Sequence, residues 1–350
     1  MKNTKIRVGI TQGDINGVSY EVIIKTLLDN RIFDICIPIV YGSPKVAAYH
    51  RKALNIDNFS FNTIKSPEEA NPKRANLINC ISDNVRVELG KSTPMAGEAS
   101  YISLDTAAKD LENNKIDVIV TGPINKYNIQ SDKFSFAGHT EFFESRFKSE
   151  SVLMLMVSEL FKVGVVTAHV PINEVAGYIT KDNVLTKIRI LNKSLMVDFL
   201  VRKPRIAVLG LNPHAGDNGV IGDEENKEII PALKAAREED INAFGPFPAD
   251  GFFGSDSFTR YDGVIAMYHD QGLIPFKAMT YEGGVNFTAG LPIVRTSPAH
   301  GTAYELAGKD EAHPDSFRKA IYLACDIYNN RQAYKEMTNN PLKTQNLTEA

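Results

Sequence analysis

The chain has little cysteine: three in 350 residues, at Cys36, Cys80 and Cys325. They form no CxxC pair and no regular framework. A disulfide-stapled scaffold is therefore excluded, and free thiols in a reducing compartment are expected. Cys325 lies in the helical pattern IYLACDIY and reads as a small core residue. Long apolar runs are also missing. No stretch approaches the roughly 20 apolar residues of a membrane span. The apolar part of the opening MKNTKIRVGIT is short and reads as a first strand, not as a signal peptide. A cytoplasmic protein is expected. Charge of one sign is not in excess, the formal net charge being -3. That excludes a general nucleic-acid binder, which needs a basic face. Neither GxGxxG after a strand nor GxxxxGK followed by Ser or Thr occurs, so a standard dinucleotide fingerprint and a P-loop are both excluded. No Gly/Ser linker, repeat or low-complexity tract interrupts the chain.

What is present is ordinary for a globular enzyme: 43% hydrophobic and 23% charged residues. The length exceeds one ordinary core and suits two domains with a cleft between them. The runs IRVGIT, ICIPIVYG, DVIVTG, VLMLMV, KVGVVTAH, RIAVLGLN, GVIAMYH and LPIVRTS read as strands, several of them apolar on both faces. Between them Ile24, Leu27 and Leu28 share a helical face. Leu104, Ala107, Ala108 and Leu111 mark another, as do Val184, Ile188, Leu191 and Leu195, and then Phe317, Ile321, Ala324 and Tyr328. Alternating strands and helices predict an α/β fold with a largely parallel sheet. The tail from Thr338 to Ala350 is polar and reads as frayed.

Polar residues recur where apolar runs end. VVTAHV ends at His169, VLGLNPHAG at Asn212 and His214, VIAMYHDQG at His269, Asp270 and Gln271, and VIVTGPINK at Thr121, Asn125 and Lys126. The carboxyl ends of strands are where open α/β sheets bind ligands. Three such ends carry a histidine, so His169, His214 and His269 are candidates for one shared divalent metal. The long gaps between them are not a recognised ligand spacing, and three separately packed imidazoles stay open. A second group, His139, Thr140, Lys277, Asn286 and Arg295, has the chemistry to bind a phosphate or carboxylate. The alternative is that Lys277 and Arg295 are solvated surface charges, although Arg295 sits inside an apolar run. The Gly-rich stretches at residues 11–21, 214–225 and 300–310 are weak evidence alone and read as ordinary turns.

Taken together, these strings resemble the 4-hydroxythreonine-4-phosphate dehydrogenase family. The matching segments are TQGDINGVSYE, TGPINK, AGHTEFF, VVTAHVPI, LNPHAGDNG, GPFPAD, AMYHDQGLIPFK and VNFTAGLPIVRTSPAHGTAYELAG, in the family order. The resemblance implies two α/β/α domains with a cleft between them, like isocitrate and isopropylmalate dehydrogenases. Residues 1–130 with 300–350 would form one domain and 131–299 the other. It implies a homodimer whose active sites are completed by the partner subunit. It implies NAD or NADP as cofactor, held near His300 and Gly301, since HGTAYELAGK is similar to the cofactor loop of the isopropylmalate enzymes. His169, His214 and His269 match the family's metal ligands, zinc foremost with Mg, Mn, Co or Ni open. His139, Thr140, Lys277, Asn286 and Arg295 match its substrate-binding positions. Asp250 and Asp270 are general-base candidates. Asp270 could equally orient a ligand histidine and Asp250 could equally cap a helix. Lys126 is a candidate contact to substrate or cofactor. The implied reaction is oxidation and decarboxylation of 4-phosphooxy-L-threonine to 3-amino-2-oxopropyl phosphate in vitamin B6 synthesis. The same chemistry on 4-phospho-D-threonate or 4-phospho-D-erythronate is the alternative. There are departures: GDINGVSYE stands where the family has GDPAGIGPE, and Ala299 where it has an acid.

Overall fold

The computed structural model describes residues 5–280 and 283–340. From residue 341 onward the polar tail lies outside the described residues, as do the first four residues of the opening segment. Among the described residues, twelve strands form one sheet. They are β1 (Ile6–Thr11), β2 (Cys36–Gly42), β3 (Asn62–Ile64), β4 (Asn76–Asn79), β5 (Val118–Thr121), β6 (Leu153–Val157), β7 (Lys162–Thr167), β8 (Arg205–Leu209), β9 (Asn242–Phe247), β10 (Gly263–Tyr268), β11 (Val285–Ala289) and β12 (Arg295–Pro298). Their order is β3-β4-β2-β1-β5-β12-β11-β6-β7-β10-β8-β9. The pairings are parallel except in the middle, where β12 with β11, β11 with β6 and β6 with β7 are antiparallel.

Both halves of the sheet are covered on both faces, which is why their strands read as continuous apolar runs. In β5, Val118 and Val120 pack with Phe317 and Ile321 of the helix Asp315–Thr338. Ile119, between them, packs with Leu104, Ala107 and Leu111 of the helix Pro94–Glu112. In β10, Ile265 and Met267 meet Val184, Ile188 and Leu191 of the helix Lys181–Val197. Val264 and Ala266 meet Leu273 and Phe276 of the helix His269–Met279. The architecture is thus mixed α/β, layered α/β/α in each half. Two of these helices start where sequence rules place them: Thr93 accepts from the Ala96 amide ahead of Pro94, and Thr180 from the Asn183 amide.

Several expectations needed correction. LPIVRTS is a strand only from Arg295, because Pro292 has no N–H to give a ladder. The strands β3, β4, β9 and β11 were not read from the sequence. The first two are three or four mostly polar residues, and β9 carries Gly245-Pro246, tolerable because it is an edge strand. Leu28 caps its helix and leaves the apolar face formed by Ile24 and Leu27. Cys325 is buried, as read. The altered loop GDINGVSYE is packed: Ile15 and Tyr20 are fully buried. The Tyr20 hydroxyl donates to Gln12 Oε1 at 2.9 Å and accepts from the Ser43 amide at 3.1 Å, and its ring stacks on His50.

Candidate active site

The parallel register sets the site. Tyr268 of β10 stands beside Thr167 of β7, so the chains leave the two strands side by side. His269 follows directly and His169 two residues on, and their ring centroids lie 6.3 Å apart. Each ring turns Nδ1 toward a carboxylate: His269 to Asp270 Oδ1 at 2.7 Å, His169 to Glu141 Oε1 at 3.3 Å. A proton on each Nδ1 leaves each Nε2 a lone pair. Lys126 Nζ donates to the Nε2 of His169 at 2.9 Å. Burial opposes ionisation of Glu141. The hydrogen bonds from His169 and the backbone, with the charges of His169 and Lys126, outweigh it and hold the carboxyl below its ordinary range.

Beside this pair lies a cavity of about 290 Å³ whose walls include Thr121, Lys126, His139, Asn286 and Arg295. Arg295 opens β12 and is 2% exposed. Its guanidinium donates only to hydroxyls, of Thr121 (2.8 and 3.2 Å) and Thr288 (3.1 Å). Among the described residues no carboxylate forms an ion pair with it. Burial lowers its pKa to about 10, with the charge of Glu141 partly opposing. A buried cation held by neutral groups is costly to the fold unless an anion completes it. Four further buried atoms here have no partner: His139 Nε2, Glu141 Oε2, Asn286 Oδ1 and His300 Nε2. Burial, and then the positive charges of Arg295 and Lys126, push His139 well below the usual imidazole value. Thr140 and Lys277 also line the cavity, Lys277 with an exposed side chain.

A second cleft, of about 1000 Å³, opens next to the first and shares Lys277, Ala299, His300 and Gly301 with it. It runs along Thr302, Ala303, Glu305 and Leu306. His300 Nδ1 lies 2.9 Å from the Gly301 carbonyl, and a side chain at Gly301 would meet open space.

The structure brings together most of the sequence-derived residues, but not all. His214 is exposed and lines neither cavity. It opens a left-handed turn in which residues 214–218 all have positive φ. Glu225 secures that turn from below by accepting from the amides of Leu211 and Asn212 and from the Asn212 side chain. Among the described residues of one chain, no three metal-type ligands gather. Asp250 is exposed in the helix Ala249–Phe253 and lines neither cavity, and Pro248, not Asp250, is the N-cap. Gln271 and Asn125 prove structural: Gln271 bridges the Met267 amide and the Gly210 carbonyl, and Asn125 accepts from the Tyr127 and Asn128 amides. Glu141 was missed, although it stands two residues beyond His139 in a segment already singled out.

The family model described as pyridoxal phosphate biosynthetic protein PdxA matches residues 34–324. The chain belongs to this family. It is 53% identical over 346 residues to 4-hydroxythreonine-4-phosphate dehydrogenase of Bacteroides thetaiotaomicron, covering 99% of this chain and 95% of that one. It is 37% identical over 324 residues, 91% of this chain and 97% of the other, to an Oceanobacillus iheyensis protein provisionally named D-threonate 4-phosphate dehydrogenase. Its fold superposes with TM-score 0.82 on the crystal structure of 4-hydroxythreonine-4-phosphate dehydrogenase from Klebsiella pneumoniae, at 31% identity, covering 94% and 99% of the two chains. In fold alone it is similar to isocitrate dehydrogenase from Methylococcus capsulatus, with TM-score 0.50 at 10% identity over 95% and 88% of the chains.

The electrostatics of His139 set a pH dependence. Its folded pKa lies below the ordinary 6.5, so the unfolded chain takes up the proton first. His50, lowered to about 4 by burial, acts in the same direction. Stability should therefore fall as pH drops below about 6.5. In an NMR titration the His139 ring of the free protein should stay neutral through pH 6, and inorganic phosphate should raise its pKa. A free-protein pKa at the ordinary value would contradict this electrostatic picture.

Proposed function

We propose that this chain is a metal-dependent, NAD(P)-linked dehydrogenase that oxidises and decarboxylates 4-phosphooxy-L-threonine to 3-amino-2-oxopropyl phosphate, in the cytoplasm, as a step of vitamin B6 synthesis. The single observation that carries the reading is Arg295: a buried guanidinium without a carboxylate, facing a small cavity beside two paired histidines. A phosphate or carboxylate is the group such a cation awaits.

The donor set suits a borderline divalent metal. His169 and His269 each present Nε2 with Nδ1 anchored by a carboxylate, the usual arrangement for ligand imidazoles. Lys126 already sets a cationic group against one of those lone pairs. Zinc suits the site first, with Mg, Mn, Co and Ni as the other candidates. A bound metal would supply Lewis acidity for the substrate hydroxyl and for the enolate left by decarboxylation. NAD or NADP in the larger cleft, by His300 and Gly301, would accept the hydride.

The rest is done by side chains of this protein. Arg295, with His139, Thr140, Lys277 and Asn286, binds the phosphate and carboxylate ends and fixes the substrate's register. Such orientation is worth roughly 7–11 kcal/mol in the best cases. An arriving dianion reverses the electrostatics at His139, so Nε2 gains both a proton and a partner. Asp270 and Glu141 hold the tautomers of His269 and His169. Lys126 Nζ, at the cavity edge, can accept the hydroxyl proton released as hydride leaves and return it to the enolate carbon once carbon dioxide has gone. Asp250 lies outside this cavity, so we assign it no proton transfer within its own chain. Residues 1–130 with 300–350 and 131–299 are taken as the two lobes about the cleft.

We place His214 in the site of a partner subunit. Large exposed apolar side chains flank the site segments: Tyr127 next to Lys126, Ile172 near His169, Val220 near His214 and Ile274 near His269. Exposed apolar side chains of this size beside the site segments suit an interface, and a two-fold dimer would use it twice.

The direct test follows NADH absorbance with purified protein, NAD and 4-phosphooxy-L-threonine, with and without chelator. Metal-dependent NADH formation is expected, and full activity in chelator would refute the metal. The Oceanobacillus relative's name favours a second reading, so parallel wells hold 4-phospho-D-threonate and 4-phospho-D-erythronate. Turnover confined to these acids would keep the site and change the substrate. The shared dimer has its own test. His214→Ala and His169→Ala subunits, each inactive alone, should regain activity when refolded together, because one site of the hybrid then holds both histidines. No recovery in proven hybrids would put His214 in its own chain's site.

A further inference from the structure

A buried carboxylate outside the cavity joins the cofactor-side loop to the turn that carries Lys126. Asp14 follows β1 and is fully buried. No lysine or arginine pairs with it among the described residues. Its Oδ2 accepts from the Tyr304 hydroxyl at 2.7 Å and from Asn128 Nδ2 at 2.8 Å, while Oδ1 accepts from the Asn16 amide at 2.9 Å. Tyr304 belongs to the segment lining the larger cleft, and Asn128 to the turn that begins at Asn125 and presents Lys126. Backbone geometry supports the link. Ala303 has φ 44°, a left-handed conformation disfavoured for alanine. Ala303 and Glu305, on either side of Tyr304, line the cleft, whereas Tyr304 does not and reaches Asp14 instead. The Val18 amide donates to the Thr302 carbonyl at 3.0 Å, a second tie between the same loops.

We propose that Tyr304 is a positioning residue: through Asp14 it holds segment 302–306 in the shape that receives the dinucleotide. The inference rests on the reading of the larger cleft as the cofactor site. A hydroxyl bonded to a buried carboxylate is a strong, directional tie. Without it the strained turn at Ala303 relaxes, and the loop must be ordered again each time the cofactor binds. Tyr304 lines neither cavity, so its removal affects cofactor affinity and leaves the bound complex's chemistry alone.

The test uses the full-length protein and Tyr304→Phe, which keeps the ring and deletes the hydroxyl. Hydrogen exchange of amides 302–306 in the cofactor-free protein should speed up in the variant. The Kd for NAD should rise about tenfold, as should KM for NAD, with kcat at saturating NAD within about twofold. Asn128→Ala, which removes a 3.4 Å bond to the Tyr304 hydroxyl but leaves the 2.7 Å Tyr304–Asp14 bond in place, should change the NAD Kd less than Tyr304→Phe. Faster exchange with unchanged NAD affinity overturns the proposal, as does a loss of kcat at saturating NAD. Wild-type protein that binds neither NAD nor NADP overturns the cofactor reading itself, a result distinct from a variant that matches a wild type able to bind.

Discussion

Arg295 is the group around which the rest of the site is arranged. A guanidinium taken out of water costs several kcal/mol unless its charge is met, and here only threonine hydroxyls meet it. Those hydroxyls come from β5 and β11, the strands on either side of β12. The cation therefore sits at the seam where the parallel half of the sheet gives way to the antiparallel middle. Nothing in the core needs a charge at this position. The fold tolerates it because β5, β11 and β12 fix its direction, and that direction is into the cavity.

The same logic extends outward. His139, Asn286 and His300 each keep one buried atom without a partner. These are unmet polar groups of the kind a compact protein normally avoids. Gathered around one small cavity, they suit a polar small molecule that has both hydrogen-bond donors and an anionic group. The two histidines at the edge are prepared differently: each has a carboxylate on one nitrogen, which fixes the lone pair on the other. Anion capture, at β12, and tautomer control, at the ends of β7 and β10, are thus separate tasks.

Much of this was legible in the sequence. Eight strands could be read because burial on both faces makes them apolar throughout, and strand-end histidines followed from where those runs stop. Arg295 stood out as a charge inside an apolar run. Illegible were the short strands β3 and β4, whose polar residues carry no periodic signal, and β9, whose Gly-Pro reads as a turn. His214 could be listed with His169 and His269 from its position after a strand. Sequence could not show that it opens a left-handed turn and lines neither cavity. Nor could it show that Tyr304 meets Asp14, because that contact spans 290 residues. Ile15 and Tyr20, in the segment GDINGVSYE that departs from the family string, turned out to be packing.

The central claim is that Arg295 is kept for a ligand and not for the fold. Calorimetric titration of 4-phosphooxy-L-threonine into wild type and Arg295→Met, with chemical unfolding of both, tests it most directly. The account predicts that the variant loses about 30-fold or more in affinity, from 2–5 kcal/mol of lost charge pairing. It also predicts that the variant is as stable as wild type or more so, because a buried unpaired charge has been removed. A variant that binds as tightly as wild type, or that unfolds several kcal/mol more easily, would contradict the account.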